Sequence, residues 1–515
     1  MKSEMRPQRA GLDMNRRTLL KAASAMTFMA PFAALPAYAQ GGGLILGTLG
    51  DTLSFDGYHF TSQNYPHQRL LYDYLVAYDY DLNATPWALE SWKLADDQMS
   101  ATLKMRPDIM LHSGRLWNEQ DLVKGFARSV DPKEGLMLLG MTRTLDSFSS
   151  PAPLTVELKF KTPVSDSVLT DMLLMMPVVD GAHNSVKDNQ TTPAGSGPFK
   201  LQDRTPGDNF VLIKNQDYWQ KGLPLFDSVT FQIFDNADSM VSALESGSIN
   251  LINVLPPNHA ERLVKSFNII EGYPAALADA MRMNPLSPPF DNPKLRQAIF
   301  RAVDRERIAK EVYAGYARPA FLPWSSKSAA YDASYNDKLS FDLDAAKALI
   351  EQVGTMPTAK IMTNTGNPIF VKAVEIIQAD LRRIGFNLEI DAVESAVFSK
   401  RAVAGDFGVF YGEIGTTGKR SPASITTNSF MRLVNNPVWK DKVPPAYVDA
   451  ITKVGSAKNR EEEVAASAAL NKVIVDEAWF VPTVHKLALT AADKDLTGLS
   501  RDIDDRLLLL NAQRG

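Results

Sequence analysis

The sequence predicts an α/β protein built from more than one domain, on three observations. At 515 residues the chain is too long for a single compact core and points to two or three domains. Short strand-like apolar runs alternate with longer helix-like ones, with no low-complexity linker between them. Residues 359–391 read as strand, helix and strand in succession: "AKIMT", the turn "NTGNP", the amphipathic "IFVKAVEIIQADLRRI", a closing Gly385, then "FNLEI". That order implies a parallel strand pair joined by a crossover.

Taken from the N-terminus, the first element is a targeting segment. Met14-Asn15-Arg16-Arg17-Thr18-Leu19-Leu20-Lys21 sets paired arginines before the apolar run "AASAMTFMAPFAALPAYA", which ends in the small-x-small pattern Ala37-Tyr38-Ala39. It resembles a bacterial twin-arginine export signal, so residues 1–39 are expected to be removed and the mature chain to begin near Gln40. Two prolines and the cleavage pattern argue against an uncleaved anchor, and Met14 offers an alternative start. Without residues 1–39 the chain keeps 49 basic and 57 acidic residues, a net charge of −8. No basic stripe remains, which argues against a nucleic-acid partner. No later stretch is apolar enough to cross a bilayer. The expected location is the periplasm. Cysteine is absent, which excludes disulfides, thiolate metal sites, a cysteine nucleophile and a lipid-anchored N-terminus.

Next come "QMSATLKMRPDIML" and "PLTVELKFKTP", alternating at period two around the helical "NEQDLVKGFARSV". They read as an α+β subdomain inserted into the first lobe. Further on, "SMVSALES" is a helix ending at Gly247. Asn292-Pro293 offers an N-cap and a proline at the first helical position of "KLRQAIFRAV", and Asp304 caps "RERIAKEVYA", which stops at Gly315. The strand "FGVFY" then runs into the Gly-rich "GEIGTTGKRSP". In open α/β sheets ligands gather at the carboxyl ends of strands, so this loop and the 363–368 turn are expected cleft edges.

Catalytic and phosphate-binding patterns are missing. A phosphate loop needs glycine five residues before Gly418, and Glu413 stands there; the residue after Lys419 is Arg420 rather than Ser or Thr. None of the six histidines pairs at helical metal-site spacing, so no metal is expected. "AGSGP" is a turn rather than a nucleophile elbow. The pairs Asp96-Asp97 and Asp504-Asp505 are expected to be solvated. Tyr218-Trp219, Trp324, Trp439 and Trp479 lie in or beside turn-rich segments and are read as core more readily than as ligand contacts.

Several stretches together resemble the family 5 solute-binding proteins of ABC transporters, the peptide, nickel and opine type. They are "NYPHQRLLYDYLVAYDYDLNATPWALESWKLADDQMSATLKMRPDIMLHSG", "TPAGSGPFKLQ", "NQDYWQKGLPLFDSVTFQIFDNADSMVSALESGSINLI", "MNPLSPPFDNPKLRQAIFRAVDRERI", "FDLDAAKALIEQVG" and "LNKVIVDEAWFVPTV". The resemblance implies a two-lobed periplasmic-binding-protein type II fold that closes on ligand like a hinged trap. Lobe I would comprise 40–281 plus 484–515, with the inserted subdomain at about 85–195, and lobe II 282–483. It implies a monomer that carries a peptide-like or opine/sugar-conjugate solute to an inner-membrane permease, without cofactor or catalysis. The rival expectations are a periplasmic hydrolase and a non-transport binder or chaperone on the same scaffold.

In peptide-binding members of the family an aspartate in the loop after "FGVFY" pairs with the peptide ammonium. Aligned on Pro422, its place falls near Gly418, beside Lys419 and Arg420; His112-Ser113-Gly114 likewise replaces the family's His-Asp-Gly. The expected ligand contacts are Tyr411, Glu413, Thr416, Thr417, Lys419 and Arg420 from lobe II, with Phe55 and Asn284 approaching from the other side. A cation in a closed cleft favours an anion and penalises an ammonium, so a neutral or anionic solute is expected.

Overall fold

The computed structural model describes residues 42–60, 64–273, 277–414, 421–428 and 443–515; residues 1–39, the expected export signal, lie outside them. Three sheets organise the chain. A seven-stranded sheet runs in the order Asn268–Glu271, Leu489–Ala492, Leu251–Ile252, Gly43–Leu49, Ser228–Phe234, Asn209–Lys214, Phe199–Thr205. A six-stranded sheet runs Ala317–Pro319, Phe480–Lys486, Leu277–Met283, Val409–Ile414, Ala359–Asn364, Leu388–Val393. The third is four-stranded and antiparallel: Leu89–Leu94, Ser100–Met105, Thr155–Phe160, Leu145–Ala152. The alternation in "SATLKM" buries Ala101, Leu103 and Met105 on one face, the pattern of a sheet with one solvated side.

Lobe I is the seven-stranded sheet with the four-stranded subdomain sharing its core; lobe II is the six-stranded sheet. The chain passes from one to the other between Glu271 and Leu277 and returns between Lys486 and Leu489. The expected boundaries at 281/282 and 483/484 cut into Leu277–Met283 and Phe480–Lys486. Those two strands pair from Leu277–Lys486 to Arg282–Phe480 and belong wholly to lobe II, so the crossings lie a few residues outside the expected positions.

Local rules hold where the signals were strong. Asn292 accepts the Lys294 amide and Asp304 the Arg307 amide, each capping its helix. Asn118 and Asp121 form a reciprocal capping box on Glu119–Ser129. Strands Ala359–Asn364 and Leu388–Val393 pair in parallel on either side of helix Pro368–Arg382.

The motifs that carried the resemblance converge on one buried group. The Asp73 carboxylate of "LYDYL" accepts the Trp87 indole N–H (2.7 Å), the Ser196 hydroxyl (2.9 Å) and the Tyr218 hydroxyl (2.9 Å). Ser196 sits in "AGSGP", where a Cβ on Gly197 would collide with the Leu71 backbone; glycine lets the two chains touch. Burial pushes the Asp73 carboxyl up, against three donors that favour its charged form. These motifs build scaffold.

Candidate functional site

Ala359–Asn364, Leu388–Val393 and Val409–Ile414 run in parallel, so their carboxyl ends share one edge of the lobe II sheet. The register places Ala278 opposite Ile414 and Leu277 opposite Lys486, so this is also the edge where the chain crosses between lobes. Strand pairing thus brings the carboxyl end of Val409–Ile414 to the edge from which the chain crosses between lobes. The crossing itself is tightly held. The Gly272 amide donates to the Ala488 carbonyl (2.7 Å) and the Tyr273 amide to Asp505 Oδ1 (2.9 Å). A Cβ on Gly272 would overlap that Asp505 oxygen.

Three strands bring a charged cluster to this edge. Lys486 Nζ pairs with the Glu413 carboxylate and lies 3.3 Å from Asp279 Oδ1, while the Tyr313 hydroxyl donates to Asp279 Oδ2. Asp279 is fully buried, and desolvation pushes its carboxyl up. The two carboxylates outweigh the burial of Lys486 and hold its ammonium above the ordinary lysine range. Glu413 therefore stands on the expected edge with its charge already matched by the protein.

Beyond the loop, Ser421 is buried, and its amide donates to Asp171 Oδ2 at 2.9 Å. Asp171 belongs to helix Asp166–Met175 of lobe I, and its other oxygen accepts the Tyr78 hydroxyl at 2.9 Å. The Tyr78 hydroxyl oxygen also lies 2.8 Å from Thr170 Oγ1. Helix Pro422–Asn428 then packs against Asp166–Met175. The lobes are thus in contact at the far end of the loop.

Thr416, Thr417, Lys419 and Arg420 lie outside the described residues, as does Trp439. Three other expected contacts have side chains committed to the interior. Phe55 is fully buried between His67 and Phe210, with ring centroids at 5.0 and 5.3 Å. Tyr411 is fully buried, its hydroxyl 3.0 Å from Thr483 Oγ1 and its ring edge-on to Phe370. Asn284 follows Met283, which pairs with Val409, at the opposite end of the strand from the crossing. Seven extended residues separate it from the cleft edge by roughly 20 Å. Its amide is bonded to the Gly405 and Phe407 carbonyls, so it braces a turn.

Asp504 and Asp505 are buried rather than solvated. Arg506 pairs with Asp504, and Asp505 accepts the crossing amide of Tyr273. Among the other sequence candidates, Trp324 donates to Asn471 (2.6 Å) and Trp479 packs edge-on to Tyr447, both inside lobe II. Ser113 donates to Asp180 (2.6 Å), which marks its turn as structural. Burial takes His67 down to about 3 and His112 and His485 down to about 4, so all three imidazoles are neutral near pH 7.

Sequence reading did not single out Asp171, Asp279 or Lys486. Each is a lone charge in an apolar run ("LTDMLLMM", "LADAM", "TVHKLAL"), and that was the available signal.

Two α/β lobes joined by a pair of crossings, with an inserted subdomain in the first, define the type II periplasmic-binding-protein class. The chain belongs to the bacterial extracellular solute-binding proteins, family 5: the model of that family's middle region matches residues 83–432. The glutathione-binding protein GsiB of Escherichia coli (strain K12) is 25% identical over 444 residues, covering 83% of this chain and 85% of that protein. DppA of Helicobacter pylori, solved with the peptide STSA, superposes with a TM-score of 0.79 at 21% identity, covering 92% of this chain and 98% of that one. AgaA from A. tumefacien R10, solved with agropinic acid, gives 0.80 at 21% identity, covering 92% and 99%. Proteins of this family serve ABC importers as solute-binding components rather than as enzymes.

Proposed function

We propose that this chain is the periplasmic receptor of an ABC importer, exported by the twin-arginine route, working as a monomer and presenting its solute to an inner-membrane permease. The solute is held between the lobes against the loop that follows Val409–Ile414. One observation carries this reading: Val409–Ile414 ends at the carboxyl edge of the lobe II sheet, and Ser421, a few residues on, is bonded to Asp171 of lobe I. A solute enclosed there would touch both lobes, and closing on it would exchange water contacts for ligand contacts.

The ligand is neutral or anionic where it meets this loop: an opine-like conjugate, a glycoside or a blocked peptide. The charge pattern supports this. Glu413 is matched by Lys486, and Asp171 already accepts from Tyr78 and Ser421. A ligand ammonium would have to displace a protein donor from one of these carboxylates, at a cost of several kcal/mol for a buried pair.

The test is mass spectrometry of the solute released from purified protein, followed by tryptophan-fluorescence titration with the identified compound. The expected result is a solute without a free N-terminal ammonium, bound saturably and recovered unchanged. Mixed peptides with free N-termini would refute the ligand class, and chemical turnover would refute the receptor.

A further inference from the structure

A second set of bonds joins the lobes through the inserted subdomain. Gln98 lies in the turn between strands Leu89–Leu94 and Ser100–Met105, and its amide donates to the Ala457 carbonyl of lobe II at 3.0 Å. The Ser165 amide donates to the Gly455 carbonyl at 2.7 Å. The Ser167 hydroxyl donates to Glu463 Oε1 at 2.7 Å. Gln98, Ser165, Ser167 and Glu463 are all buried, and Val168 packs against the lobe II cluster that contains Trp479 and Tyr447.

The chemistry of this seam is matched on both sides. Gly455 ends helix Pro445–Gly455, where backbone carbonyls lack helical partners. Ser165 is the N-cap of helix Asp166–Met175, so the negative end of one helix meets the positive end of another. The Glu463 carboxylate lies by the same N-terminus, where a negative charge is favoured. Gln98 has a φ of +60°, a conformation glycine adopts without cost and other side chains resist. Glycine would serve the turn better, and glutamine there supplies the reach to Ala457.

We infer that the inserted subdomain is a second clasp on the closed state. Gln98, Ser165 and Ser167 hold the lobe II helices Pro445–Gly455 and Arg460–Glu477 and the turn between them, and set how readily the lobes part, and hence how tightly the cleft retains its solute, without touching that solute. This rests on the hinged-trap reading of the cleft. In the open form these groups return to water, so each bond contributes only its net worth. That corresponds to about a fivefold change in the closed-to-open ratio per bond.

The chain has no cysteine, so two can be introduced for spin labels at exposed positions on either side: Lys159→Cys in the subdomain and Lys372→Cys in lobe II. Inter-label distances and hydrogen exchange at the Ser165 amide would be measured on purified, solute-stripped protein with and without Gln98→Gly or Ser167→Ala. Gln98→Gly removes the bond while relieving the backbone, so it should fold. The expected outcome for each variant is a smaller short-distance population, by about fivefold in ratio, and faster Ser165 exchange with the melting temperature held. Unchanged distances and exchange in both variants would overturn the clasp, as would a background protein with no short-distance population. Either result would leave solute binding, measured separately, intact as a reading.

Discussion

Replacing Lys486 by methionine tests whether the cluster at the crossing edge is held as its geometry suggests. The substitution keeps most of the apolar stem and removes the ammonium shared by Glu413 and Asp279. Those carboxylates sit on directly paired strand positions, and Asp279 is fully buried. Removing one partner of a buried ion pair typically costs about 3–5 kcal/mol. The loss must depend on pH. Burial raises the Asp279 pKa, and without the ammonium it should rise further. A carboxyl raised above its unfolded value contributes stability at low pH and loses it as pH rises through the interval between the unfolded and folded pKa. The deficit of Lys486→Met should therefore be larger at pH 8 than at pH 5, because lowering the pH favours the protonated form of Asp279. Adding Asp279→Asn should recover much of the deficit at high pH. Urea unfolding of the three variants at both pH values measures this. A Lys486→Met cost below about 1 kcal/mol at pH 8, with no pH slope, would refute the argument.

Four further outcomes are expected. Asp73→Ala leaves three donors unpaired, two of them buried, and should cost several kcal/mol in chemical unfolding; a cost under about 1 kcal/mol would show that the motif residues are not coupled through Asp73. Gly272→Ala forces the crossing away from Asp505, so small-angle scattering of solute-loaded protein should show a larger radius of gyration or the variant should lose binding; neither change would count against a tight crossing. Asp505, raised by burial to about 7, should make stability fall from about pH 4 to 7 by at most ~1.4 kcal/mol per pH unit, and Asp505→Asn should flatten that slope. Arg16→Lys with Arg17→Lys should leave precursor in the cytoplasm, and a normal periplasmic yield of the double variant would exclude the twin-arginine route.

The fold was legible because its signals are local. Residues 359–391 carry apolar spacing, a cap and a closing glycine within one window, and the structure returns a parallel pair around a helix. The site was less legible, for a geometric reason. A strand's two ends look alike in sequence, and only pairing tells which end faces the other lobe. Asn284 seemed close to the crossing by number, yet the antiparallel register with Val409–Ile414 carries it to the far edge. Phe55, after the first strand, and Tyr411, at the start of the Gly-rich stretch, are both core. Asp504-Asp505 looked solvated because nothing local reveals that Arg506 and the Tyr273 amide come to meet them.

That contrast explains why family membership does not fix the ligand. The motifs shared with the family meet at Asp73, inside lobe I, and specify how the chain packs on itself. Glu413 and Lys486 at the crossing edge, and Asp171 on lobe I, sit singly in otherwise apolar runs and form no contiguous motif. Changing Asp73 disturbs three partners at once and is resisted by all of them. Changing Glu413 alters one protein partner, Lys486, which keeps its second partner Asp279. A scaffold fixed by a many-partner hub, with an edge set by pairwise charges, can alter its solute while keeping its fold. On this argument Glu413→Gln, which leaves Lys486 paired with Asp279, should preserve melting temperature to within a few degrees while shifting solute preference. Loss of folding in that variant, with Asp73 untouched, would show that the edge charges belong to the scaffold after all.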